Sequence, residues 1–160
     1  MKQILLFTSI ALSSGLLLVN IYTSLIDARS WGSKIPQSIS TAREYFKTVN
    51  PGDFFRKISP VNQLLALVLL ILFWKAVPNT RLYLGAALIF YVLGDVMTFT
   101  YFYPRNEILF NSGSLDDVAL LKKTWQEWTS MNWIRSMIIL AGLICSCVGV
   151  HKIYLKNIIG

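Results

Sequence analysis

Four long apolar stretches leave few folds open to this chain. A helix crossing about 30 Å of hydrocarbon needs roughly 20 mostly apolar residues. Segments of that kind run over residues 4–26, 61–77, 82–103 and 133–155. The first carries no charge, the second reads VNQLLALVLLILFWKAV, and Asp95 is the one acid in the third. Lipid offers the backbone no hydrogen-bond partners, so such segments satisfy their own peptide groups as helices. The expected fold is all-α: a four-transmembrane-helix bundle forming a single integral membrane domain over residues 1–160. Composition agrees, with 54% hydrophobic and 14% charged residues against about 25% charged in soluble domains.

Fifteen Lys and Arg against eight Asp and Glu give a net charge of +7. In a soluble protein that excess would suggest nucleic acid. Here membrane headgroups are the simpler home for the basic residues, so membrane lipids are expected partners and nucleic acid is not. Met1-Lys2 makes a short positive start, as a signal peptide would. The apolar run behind it exceeds a usual signal core, no small-x-small cleavage site follows, and its polar residues share one face. Ser9, Ser13, Asn20 and Ser24 fall within about 60° of arc at 100° per residue, as helix contact in lipid favours. Segment 4–26 therefore reads as a retained span.

Two long connections, residues 27–60 and 104–132, are expected on one side of the membrane and partly helical. Residues 40–47 start with a Ser/Thr cap and suit one or two helical turns, and Asn50-Pro51-Gly52-Asp53 reads as a turn. Ser114 and Asp117 resemble a capping box. No helix breaker occurs between Leu115 and Gly142, so that helix is expected to run directly into the fourth span. The two termini and the short turn around Pro78-Asn79 share the other side, with Lys2, Lys75, Arg81, Lys152 and Lys156 and no acids. Basic density favours both termini in the cytoplasm, across a cell inner membrane, although raw counting of Lys and Arg favours the long connections.

Asp95 is the residue lipid should most strongly exclude, since an acid within a span costs a few kcal/mol. Tyr91, Thr98 and Phe102 lie within about 60° of it on the helix, which marks an inward face. A proton-handling or ligand-binding acid and a bundle-locking partner both fit. Arg135, at the mouth of the fourth span, is the candidate partner, with Asp95 roughly 9–13 Å deeper. Trp125, Trp128, Asn132, Arg135 and Ser136 recur at helical spacing. An interfacial aromatic belt with a snorkelling Arg accounts for the tryptophans. It does not account for Asn132 and Arg135 on one face, which point to a shared polar pocket.

Cys145 and Cys147 stand two apart on a helix, cannot readily bond each other, and suit small packing residues. His151 stands alone near the end of the fourth span. There is no paired-His motif, Gly-rich phosphate loop or nucleophile elbow, so no metal and no other cofactor is expected.

Tyr103-Pro104-Arg105-Asn106-Glu107-Ile108-Leu109 and Trp128-Thr129-Ser130-Met131-Asn132-Trp133-Ile134-Arg135-Ser136 resemble the anthrone oxygenase-like family of small four-helix membrane proteins. That family tends to end its third span in P-x-N-x-x-L and to begin its fourth with W-T-x-W-N-H-x-R-T. The resemblance implies Asn106, Asn132 and Arg135 as site residues. Met131 and Trp133 stand where the family often has Trp and His, so Asp95 or a tyrosine would have to supply the acid–base group. Active members oxidise an anthrone to an anthraquinone with dioxygen, without an evident metal. On that pattern Asp95 is the candidate base, Arg135 and Asn132 stabilise developing negative charge, and Tyr91, Phe102, Tyr103 and Trp128 supply walls for a flat aromatic molecule. Asn20, on the polar face of the first span, is a further candidate binding residue. A non-catalytic lipid- or small-molecule-binding module, or a small subunit of a membrane complex, is the competing reading. The runs Ser13-Ser14-Gly15 and Gly85-Ala86-Ala87 permit close helix contact, within one chain or in a homo-oligomer.

Overall fold

The computed structural model describes residues 2–75, 79–111 and 115–159. Five helices make up nearly all of the described chain: α1 Lys2–Trp31, α2 Gln37–Tyr45, α3 Pro51–Leu72, α4 Thr80–Asn111 and α5 Val118–Ile159. All but α2 are long and apolar enough to cross a membrane. No strand occurs among the described residues.

The distribution of side chains is the reverse of a water-soluble bundle. Ile4, Phe7, Leu18, Leu64, Ile71, Leu82, Ile89, Met137 and Ile144 face outward. Ser9, Ser13, Asn20, Ser24, Asn62, Asn132, Arg135, Ser136 and Ser146 are buried. An apolar exterior of this extent is unsustainable in water, whereas small polar residues between helices suit lipid. The chain is an integral membrane protein.

Two packed clusters fix the direction of each helix. Leu6, Leu69, Phe73, Leu84 and Ile153 meet at one end, which brings together the start of α1, the end of α3, the start of α4 and the end of α5. Ala28, Trp31, Ile39, Ala42, Phe102, Leu109, Leu121 and Trp128 meet at the other. The long connections and α2 therefore lie at one end, with both termini opposite.

Helix boundaries depart from the sequence reading in two places. Asn50-Pro51-Gly52-Asp53 opens α3 instead of turning. The Asp53 carboxylate accepts the Asn50 N–H at 3.0 Å, the Asn50 side chain answers the N3 amide, and Pro51 takes the first position. Proline is tolerated there because its missing N–H would have no partner anyway. The third span continues past Tyr103 to Asn111. The fourth, as expected, is one unbroken helix from Val118. The capping box expected at Ser114 lies outside the described residues, as does Pro78 in the short turn. Gly142 and Gly149 bring α5 close to α4: a β-carbon on Gly142 would stand 2.7 Å from the Tyr91 ring, and one on Gly149 2.9 Å from Leu84.

Candidate functional site

Arg135 enters the bundle from α5 and is 6% exposed. Its Nε donates to Asn20 Oδ1 at 2.9 Å, one Nη to Thr98 Oγ1 at 3.2 Å, and the other to Asn132 Oδ1 at 2.6 Å. Its Cζ lies 4.2 Å from the Phe102 ring centre and 5.2 Å from that of Phe55. Asn20 and Asn132 are themselves braced. Asn20 donates to Ser136 Oγ at 2.7 Å and Asn132 to Ser24 Oγ at 2.6 Å. The helical spacing of Asn132, Arg135 and Ser136 puts all three on the face of α5 that meets α1. Every hydrogen-bond partner of Arg135 among the described residues is neutral, and Asp95 acts on the charge only across the cavity, without a direct ion pair, a costly arrangement for a buried guanidinium. A guanidinium has five N–H groups, and these bonds leave one on each Nη uncommitted.

Asp95 is held from a different helix. Ser59 donates to Oδ1 at 2.7 Å, and Gln63 Nε2 to Oδ2 at 2.6 Å. Ser59 and Gln63 lie four apart on α3, on one face and one turn apart. Among the described residues no ion pair joins Asp95 to Arg135. Of the two readings open from sequence, a direct Asp95–Arg135 contact does not form: each side chain is held by neutral groups, Asp95 from α3 and Arg135 mainly from α1 and α5. Both nevertheless line one cavity of about 460 Å³, within the ordinary range for small-molecule sites.

Aromatic residues form much of the wall: Trp31 from the end of α1, Phe46 from just after α2, Phe55 from α3, Phe99, Phe102, Tyr103 and Phe110 from α4, and Trp128 from α5. Trp31 stacks edge-on against Trp128, with ring centres 5.1 Å apart, and Phe102 against Trp128 at 5.4 Å. Asn50, Arg56, Glu107 and Asn111 supply a polar rim. All three π-helical turns of the chain's described part, Thr23–Asp27, Thr98–Phe102 and Glu107–Asn111, contribute lining residues. Pro104 has no N–H for the α4 ladder, and the Tyr103 N–H bonds Thr98 O. Local widening of this kind re-aims side chains and is frequent at functional sites.

Of the residues singled out from sequence, Asp95, Arg135, Asn106, Phe102, Tyr103 and Trp128 line the cavity. Asn106 accepts from Trp128 Nε1 at 2.8 Å. Asn132 and Asn20 stand behind the wall, where they hold Arg135. Tyr91 lies apart from the lining, deeper in the bundle, with its hydroxyl 3.0 Å from Ser146 Oγ. Ser59, Gln63, Phe55 and Trp31 were not anticipated. A signal existed for the first two, because Ser59 and Gln63 place polar groups one turn apart where an apolar run begins. None existed for Trp31, the last residue of α1, whose ring meets Phe110 and Trp128 far along the chain.

Residues 54–145 match the model of the anthrone oxygenase family. The chain belongs to that family. The matched stretch contains both family motifs and every cavity residue on α4 and α5, whereas Asn20, Thr23, Trp31 and Phe46 precede it. No curated protein and no solved structure matches the chain.

Proposed function

We propose that the cavity is a catalytic pocket in which a flat, apolar aromatic ketone is oxidised by dioxygen at an acidic methylene, as in anthrone oxidation. The observation that carries this reading is that Arg135, bonded only to neutral groups, and Asp95 line one cavity with no ion pair between them. Asp95 removes a methylene proton, and the two uncommitted Arg135 N–H groups receive the enolate oxygen. The anion is electron-rich enough to reduce dioxygen directly. One electron passes to oxygen, the radical pair combines as a carbon-bound peroxide, and a proton completes the hydroperoxide. Loss of water, with the second methylene hydrogen leaving as a proton, forms the new carbonyl. One dioxygen is consumed, and one ketone and one water are produced. Asn132 and Asn20 act as positioning residues for the guanidinium, and the aromatic walls hold the rings. Arg135 and Asp95 are thereby assigned to a ligand rather than to each other.

Purified protein in lipid nanodiscs is expected to consume oxygen with anthrone and to release anthraquinone in equal amounts. Asp95→Asn should lower turnover by about 10²–10⁴, the ordinary contribution of a positioned base. Absence of uptake, or unchanged turnover in both Asp95→Asn and Arg135→Gln, overturns the reading.

We also place the termini in the cytoplasm, across a cell inner membrane, on the basic flank of Lys2, Lys75, Arg81, Lys152 and Lys156. Membrane lipids and the aromatic substrate are the partners this reading requires.

A further inference from the structure

The cavity wall is uneven. Toward the bundle it is closed: Trp31, Phe102, Trp128 and Arg135 are all buried. Between α3 and α4 it is open, because Pro60, Phe99 and Tyr103 line the cavity and also reach the outer surface, Phe99 at 60% exposure. On either side of this gap the outer surface is apolar, with Val61 on α3 and Val96 on α4 facing outward. Val61, Val96 and Phe99 fall within the apolar spans 61–77 and 82–103, and Pro60 stands where the first of these begins, so this side of the gap faces acyl chains. The polar rim of Arg56, Glu107 and Asn111 lies toward the connections and the headgroups.

We infer that the cavity loads sideways from the bilayer, through the gap between α3 and α4, with flat apolar molecules dissolved in the membrane. The inference takes from the proposed function only the kind of molecule the pocket holds, and it stands whether or not that molecule reacts there. A planar polycycle partitions into the hydrocarbon at roughly 25 cal/mol per Å² of apolar surface. Its concentration at the gap then far exceeds that in water at the rim. Phe99 and Tyr103, with ring centres 5.1 Å apart, form one edge of the passage.

Thiol labelling tests the route without any catalytic assay. Thr23 lines the far wall and is buried. Thr23→Cys, with Cys145 and Cys147 replaced by Ala, is reconstituted in vesicles. It is exposed to N-(1-pyrenyl)maleimide, a flat membrane-soluble reagent, or to a permanently charged methanethiosulfonate. Each rate is normalised to that of the same reagent on a free thiol. The pyrenyl reagent is expected to react faster by about tenfold, equivalent to about 1.4 kcal/mol of barrier. Adding Phe99→Trp should slow it severalfold and leave the charged reagent unchanged. Faster normalised labelling by the charged reagent, or a pyrenyl rate indifferent to Phe99→Trp, overturns lateral loading. Should Thr23→Cys fail to fold, Thr98→Cys on the same cavity carries the same comparison. Lateral labelling without oxygen uptake would sink the oxygenase reading alone.

Discussion

Arg135→Met separates a residue kept for a ligand from one kept for the fold. Methionine is close to arginine's stem in length and flexibility, so packing against Phe102 and Phe55 is largely retained. Two opposing effects decide the stability. Loss of the guanidinium strands the side-chain oxygens of Asn20 and Asn132, each now accepting an N–H at 2.6–2.9 Å. Each stranded acceptor costs about 1–3 kcal/mol, or about 2–6 kcal/mol together. Against this, removing a buried charge held only by neutral groups relieves a desolvation penalty of several kcal/mol, less the attraction of Asp95 across the cavity. Thr98 keeps its own bond to Gly94 O at 3.0 Å and loses little. The terms nearly cancel, and Arg135→Met is expected to unfold within about 2 kcal/mol of the parent. Reversible unfolding in mixed micelles, followed by circular dichroism, measures this, and oxygen uptake with anthrone measures function. Near-native stability with abolished uptake is the expected pair. A loss of about 3–5 kcal/mol with turnover intact would show a structural charge lock instead and refute the reasoning.

Three further outcomes follow from the same geometry. Gln63→Leu removes a 2.6 Å bond to Asp95 and should cost about 1.5–3 kcal/mol, the range for hydrogen bonds to charged groups. Turnover should fall more than apparent affinity, with Gln63→Asn restoring part of it, as steady-state kinetics would reveal. Gly142→Ala drives a methyl into the buried Tyr91 ring, an overpacking cost of about 1–3 kcal/mol seen as a lower midpoint of thermal unfolding. In a background with Cys145 and Cys147 replaced, an impermeant thiol reagent added outside cells should label Val49→Cys and spare Asn79→Cys. The opposite pattern would reverse the proposed orientation.

The spans were legible because apolar length is a one-dimensional property: a run that cannot dissolve in water shows itself without neighbours. The same holds for Asp95 and Arg135, whose charges are conspicuous in such surroundings, and for the Asn132 and Arg135 stripe, which helical periodicity alone defines. The Pro-Gly at 51–52 misled because both residues also suit the first turn of a helix, and only the Asp53 contact with Asn50 distinguishes the two.

What the sequence alone determined was an all-α membrane bundle with polar groups turned inward. Tertiary structure decided what those groups meet. Asp95 takes its partners from α3 and Arg135 takes most of its partners from α1 and α5, choices set by which helix faces pack and by the π-turns that redirect them. The end of α1 adds Trp31 to the wall, and the stretch after α2 adds Phe46. Such contacts join residues far apart in the chain, so no local pattern encodes them, whereas the cost of placing charge or bare backbone in lipid acts on every segment wherever its neighbours lie.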